Sequence, residues 1–179
     1  MIMKKILLSF VALMAVMTVQ AQSLCGSWQL MQPEIKDEGD NHTMITYINT
    51  YHEDGTFISD CDVTLSSKPA QTKEMEAALV GHISGTYTLK GDKLEMLYNQ
   101  KSFKVELVSL SENGKVLDDP KALSIINERI SKEAKAKIAD SFNKDTTYTV
   151  NVTANGTILE LTDEKGQVDK LMRIADIKH

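Results

Sequence analysis

Apolar and polar residues alternate with a period of two through most of this chain, the pattern of strands that bury one face. The clearest run is Met44–Leu65, MITYINTYHEDGTFISDCDVTL. Glu53-Asp54-Gly55 reads as a three-residue hairpin loop, with Gly55 suited to the left-handed position. That register sets Tyr51 opposite Phe57, Tyr47 opposite Cys61 and Ile45 opposite Val63, on one mostly apolar face. It sends Ile58, Asp60, Asp62 and Thr64 to the wetter face. A slip of one residue would bury the aspartates, so the pairing is well specified.

A second hairpin spans Gly81–Tyr98 and turns at Lys90-Gly91-Asp92. Ile83, Gly85, Tyr87 and Leu89 share its inner face with Leu94, Met96 and Tyr98. Further strands are predicted at Gly26–Leu30, Ser102–Leu110, Thr146–Val152, Thr157–Leu161 and Val168–Ile174, with Asn155-Gly156 as a hairpin signal. About eight to nine strands, with turn signals every 8–12 residues or so, predict a mainly β fold, an antiparallel barrel or sandwich. Ser66–Leu79 reads as a loop with a helical turn or two.

One segment, Asp119–Phe142, has period 3.6 instead. Leu123, Ile126, Ile130, Ala134, Ile138 and Phe142 form a single stripe. Asp119 can cap the N-terminus, and Pro120 suits the first helical position. The expectation is one long inserted amphipathic helix at about 119–142, packed on its own sheet rather than filling the groove of a partner.

Residues 1–21, MIMKKILLSFVALMAVMTVQA, carry Lys4 and Lys5, then an apolar run, then the small-x-small site Val19-Gln20-Ala21. This is the pattern of a cleaved signal peptide, with one domain over residues 22–179. A lipoprotein anchor on Cys25 fits poorly, because bulky Leu24 stands where a small residue is needed. Export to the periplasm or cell exterior is the expectation, with no membrane span once the signal is removed. The net charge is −5, and −7 without Lys4 and Lys5. That balance argues against a nucleic-acid partner, which needs a basic footprint, and against docking on anionic lipid.

Gly26-Ser27-Trp28 on the first strand, followed by serial antiparallel hairpins, resembles the lipocalin or calycin pattern. The tyrosine-rich YHEDGTF and GTYTLKGDKLEM hairpins resemble the lipocalin-like domains of secreted Bacteroidetes proteins. The resemblance implies an up-and-down barrel whose Trp28 plugs one end, with Arg173 from the last strand over its ring. It departs from the family in placing the long helix before the last three strands. By alternation alone, Trp28 shares a strand face with Gly26 and Leu30, the usual place of a core residue.

Little catalytic chemistry is framed by the sequence. His42, His52, His82 and His179 lack metal-ligand spacing, and no CxxC is present. DEGDNHT, Asp37–Thr43, is acidic and loop-like but lacks the spacing of a calcium loop. No nucleophile elbow or phosphate loop occurs. Neither an enzyme, a metal nor a cofactor is expected. Asp145-Thr146-Thr147 resembles the O-glycosylation acceptor of Bacteroides envelope proteins, with Thr146 as the acceptor. A Cys25–Cys61 bridge stays open: an oxidising compartment favours it, while alternation puts the two residues on different faces. Two functions remain. One is a barrel binding a small apolar or amphipathic ligand, lined by Tyr47, Tyr51, Phe57, Tyr87, Met96 and Tyr98. The other is a filled barrel serving as a structural or protein-interaction module of the cell envelope. Small or polar inward residues (Asn49, Ser59, Gly81 and Gly85) hint at internal space.

Overall fold

The computed structural model describes residues 24–68, 74–141 and 146–175. The signal peptide expected over residues 1–21 lies outside them, as do Phe142, Asp145 and His179. Ten strands are present among the described residues: β1 Gly26–Leu30, β2 Glu34–Glu38, β3 Asn41–Tyr51, β4 Thr56–Ser67, β5 Met75–Lys90, β6 Lys93–Glu112, β7 Lys115–Val116, β8 Thr146–Thr153, β9 Ile158–Thr162 and β10 Val168–Ile174. The helix α1 spans Pro120–Ser141. All pairings are antiparallel, and eight strands close a ring in the order β1-β10-β9-β8-β6-β5-β4-β3, with β3 pairing back to β1. The fold is therefore a mainly β, up-and-down barrel with one long helix. β2 and β7 are short additions to β3 and β6.

The first hairpin has the register that alternation requires. Tyr51 pairs with Phe57, Tyr47 with Cys61 and Ile45 with Val63. The His52 amide donates to the Thr56 carbonyl, so Glu53-Asp54-Gly55 is the loop, and Gly55 has φ 82. The second hairpin turns more tightly than expected. Lys90 pairs with Lys93, leaving only Gly91-Asp92 between the strands.

Three segments differ from the sequence expectation. DEGDNHT is not a loop. Asp37 pairs with His42 and Glu38 with Asn41 across a tight turn that joins β2 to β3. Turn-forming residues dominate the segment and hide its short strands. At both ends of Ser66–Leu79 the described residues are strand rather than loop or helical turn: Ser66 and Ser67 end β4, and Met75–Leu79 begin β5. Ala and Glu favour a helix locally, but Ala77 pairs with both Leu65 and Leu110 and is buried. Cross-strand packing overrides the propensity. Finally, the two strands predicted over Leu94–Leu110 are one 20-residue strand, β6. Its ladder is broken where His82 pairs with Lys104 and Ser84 with Asn99. There the Ser102 hydroxyl stands in for the ladder: it accepts from the Ser84 amide at 2.8 Å and donates to the Asn99 carbonyl at 2.7 Å.

α1 begins as predicted. The Asp119 carboxylate accepts from the Lys121 amide at 2.9 Å, an N-cap. Its position is more specific than a general packing on the sheet. β8 pairs with β6 only over Lys93–Met96 and β7 only over Ser111–Glu112, which leaves the stretch of that β6 edge between them without a strand. α1 takes its place. The Leu107 amide donates to Asn127 Oδ1 at 2.9 Å, and Ser131 Oγ donates to the Val105 carbonyl at 3.0 Å. Leu123, Ile126 and Ile130 are half-buried on the same side. A helix thus covers an edge that would otherwise offer its amides to another chain.

Candidate functional site

The barrel interior is divided into a packed floor and an open half. Trp28 lies in the floor and is fully buried. Its indole Nε1 donates to the Leu24 carbonyl at 2.7 Å. Gly26, two positions before it, has φ 116, a backbone geometry that disfavours any side chain. Arg173 pairs with Trp28 across β1 and β10, and its guanidinium carbon lies 4.4 Å from the ring centroid. The same guanidinium donates to the Cys25 carbonyl at 3.0 Å and the Gly156 carbonyl at 3.1 Å. The Trp–Arg geometry that the resemblance implies is present.

Tyr51, Phe57 and Tyr87 complete this floor with Leu24, Leu94, Leu159 and Leu171. Tyr51 and Tyr87 meet edge to face, with centroids 5.1 Å apart. The Tyr87 hydroxyl donates to the His52 carbonyl at 2.8 Å. These three aromatic residues belong to the core, not to open space. The Gly81 and Gly85 positions are filled as well. A Cβ on Gly81 would lie 2.5 Å from Cys61 Sγ, and one on Gly85 would lie 2.6 Å from Phe57 Cε1.

Beyond the floor is a cavity of about 280 Å³. Every second residue of β3 (Ile45, Tyr47 and Asn49) faces it, with Ser59 and Cys61 from β4. Of the six residues predicted to line a ligand site, Tyr47, Met96 and Tyr98 line this cavity. Sequence reasoning missed Tyr148, Phe103, Glu34 and Asp169, which also line it. Tyr148 was readable as an inward position of β8 once its partner Leu94 was placed. Glu34 and Asp169 carried no apolar signal.

Hydroxyl groups organise this cavity. Tyr47 donates to Asp169 Oδ2 at 2.9 Å, and the Tyr98 and Tyr148 hydroxyls are hydrogen-bonded to each other. Burial, reinforced by the Asp169 charge, pushes the Tyr47 phenol far above its ordinary range. Burial likewise raises Tyr98 and Tyr148, so all three hydroxyls stay protonated.

A second concavity, of about 380 Å³, lies on the outer face along Thr46, Asp60, Asp62 and Lys104. It is larger, but its main polar pair is already engaged: His82 Nδ1 and Asp60 Oδ1 are 2.7 Å apart. It lacks the tyrosine pair of the inner cavity.

The Cys25–Cys61 bridge is not formed. Cys25 Sγ lies 3.6 Å from the Tyr87 hydroxyl at the floor, while Cys61 pairs with Tyr47 and Gly81 further along the barrel. Cys61 lies four residue steps along β4 from Phe57 at the floor, roughly 13 Å of strand. Thr146 is half-buried and pairs with Met96. Among the described residues, no group of three His, Cys, Asp or Glu is placed to hold a metal ion. Nor is any described helix long and apolar enough to cross a membrane. In comparisons with known proteins, no protein-family model and no curated protein matches the chain.

Proposed function

We propose that this is an exported, lipocalin-like binding protein that holds a small apolar or amphipathic ligand in its barrel. The observation that carries the reading is the division of the interior. Trp28 and its neighbours pack one half, and about 280 Å³ remains in the other. A barrel that only stabilised itself would fill both halves with bulky side chains. Here Asn49, Ser59 and Cys61 take inward positions in the open half. Apolar walls and a few fixed hydroxyl groups are the usual make-up of a small-molecule site.

Cavity size limits the ligand. At roughly 30 Å³ per water, the space is worth about nine waters. It suits a compound of about ten heavy atoms, not a haem or a long fatty acid. Thermal unfolding should be followed while short-chain alcohols, acids, amines and small aromatics are titrated. A compound bound only by the folded state raises the midpoint at saturation. If none does, the carrier reading fails, and the protein acts through its surface.

A further inference from the structure

We infer that the head group this cavity receives is an organic cation, a primary or quaternary ammonium on a short apolar tail. The inference rests on the carrier reading and specifies its ligand. It comes from the charge of the lining. Two carboxylates, Glu34 and Asp169, line the cavity with the rings of Tyr47, Tyr98 and Tyr148. No Lys or Arg is among the lining residues; His82 is, but its Nδ1 is taken up by Asp60 Oδ1 at 2.7 Å. The Lys36 ammonium reaches Glu34 at 3.4 Å from a side chain that is 61% exposed, so it sits on the solvent side. Lys170, next to Asp169, turns to Glu160 at 2.8 Å.

The geometry favours a positive group. Tyr47 donates to Asp169 Oδ2, which fixes the carboxylate beside the cavity. Asp169, Asp163 and Glu34 all act on Tyr148, so their negative fields converge on one wall. Aromatic faces attract a cation within about 6 Å of the ring centre. An anionic head would meet two carboxylates with no Lys or Arg lining the site to receive it. A neutral hydroxyl head could donate a hydrogen bond to a carboxylate but would leave the negative charge of the pair uncompensated.

The test compares three probes of similar size: hexyltrimethylammonium, 1-octanol and octanoate. Calorimetric affinities and thermal midpoints are measured on the mature protein near pH 7.5. Hexyltrimethylammonium should bind at least tenfold more tightly than octanoate. Asp169→Asn keeps the hydrogen-bonding shape and removes the charge. It should weaken the cation at least about tenfold and leave octanol within twofold. Glu34→Gln, which lies outside the packed floor, gives the same comparison if Asp169→Asn fails to fold. Octanol or octanoate binding as tightly as the cation would overturn the inference and leave the carrier reading standing. Cation binding that neither variant weakens would also overturn it. Failure of all three probes would remove both readings together.

Discussion

Tyr47 and Asp169 stand 122 positions apart in the chain and are joined by a 2.9 Å hydrogen bond across the barrel. β1 pairs with β3 only as far as Gln29–Ile48, and with β10 as far as Leu30–Leu171. Tyr47 and Asp169 are the next inward positions past that end. Their bond spans the gap between β3 and β10 where β1 no longer does, and it does so at the cavity wall.

This bond belongs to a wider dependence on protonated tyrosine. Burial raises the phenols of Tyr47, Tyr51 and Tyr98 above their usual value near 10, with nearby negative or phenolic groups adding to it. In the unfolded chain they ionise in the ordinary range. The folded state therefore holds more protons than the unfolded state above about pH 10, and stability falls as pH rises. Their contribution is intact below pH 10 and is lost as pH climbs towards the folded values. Each such tyrosine contributes a slope of up to about 1.4 kcal/mol per pH unit. Absorbance at 295 nm should show little tyrosinate until the protein unfolds cooperatively. Gradual ionisation in the folded state, beginning near pH 10, would contradict this.

Arg173 is predicted to hold the barrel floor together. Arg173→Ala removes two charge-assisted hydrogen bonds and the contact with Trp28, for a loss of about 2–4 kcal/mol. Arg173→Lys should recover only part of it, because an ammonium cannot offer the planar fork that reaches both carbonyls. Urea unfolding followed by Trp28 fluorescence measures both. Full stability in Arg173→Lys would show that charge alone suffices.

Gly81 and Gly85 should respond differently to the same added methyl group. At Gly81 the obstacle is the Cys61 thiol, so Gly81→Ala should cost about 1–3 kcal/mol, with much of that restored by Cys61→Ala. At Gly85 the obstacles are the Leu97 carbonyl and the Phe57 ring, neither of which can withdraw. Gly85→Ala should cost about 3 kcal/mol whether or not Cys61 is altered. Equal rescue at both sites would refute this account of the packing.

The helix α1 makes a prediction about solubility. Asn127→Ala leaves the Leu107 amide without its acceptor at the β6 edge. The change should cost about 1–2 kcal/mol and promote self-association through the uncovered strand. Light scattering at raised protein concentration reads the second effect. A variant that is destabilised yet strictly monomeric would mean that the edge is protected by other means.

How much of this was legible in the sequence follows from where the signal lay. The Tyr51–Phe57 register could be read because period-two alternation and a three-residue loop agree. The helix cap at Asp119 was local and equally clear. The Cys25–Cys61 separation was harder, because it depends on where along the barrel each strand begins. The split between floor and cavity was harder still. Tyr47 and Tyr51 are both inward residues of β3, and alternation cannot tell a packed layer from an open one. Glu34 and Asp169 were missed because each reads as a solvated charge until the closed ring brings both to the cavity.

The central claim is that the barrel has a packed floor and a binding half. Amide and indole NMR shifts during titration with the tightest-binding probe test it most directly. Signals of Asn49, Ser59, Tyr98 and Tyr148 should move in a saturable way, while the Trp28 indole N–H, bonded to Leu24, stays in place. Shifts confined to outer-face residues such as Asp62 and Lys104, or no saturable shift with any probe, would contradict the account.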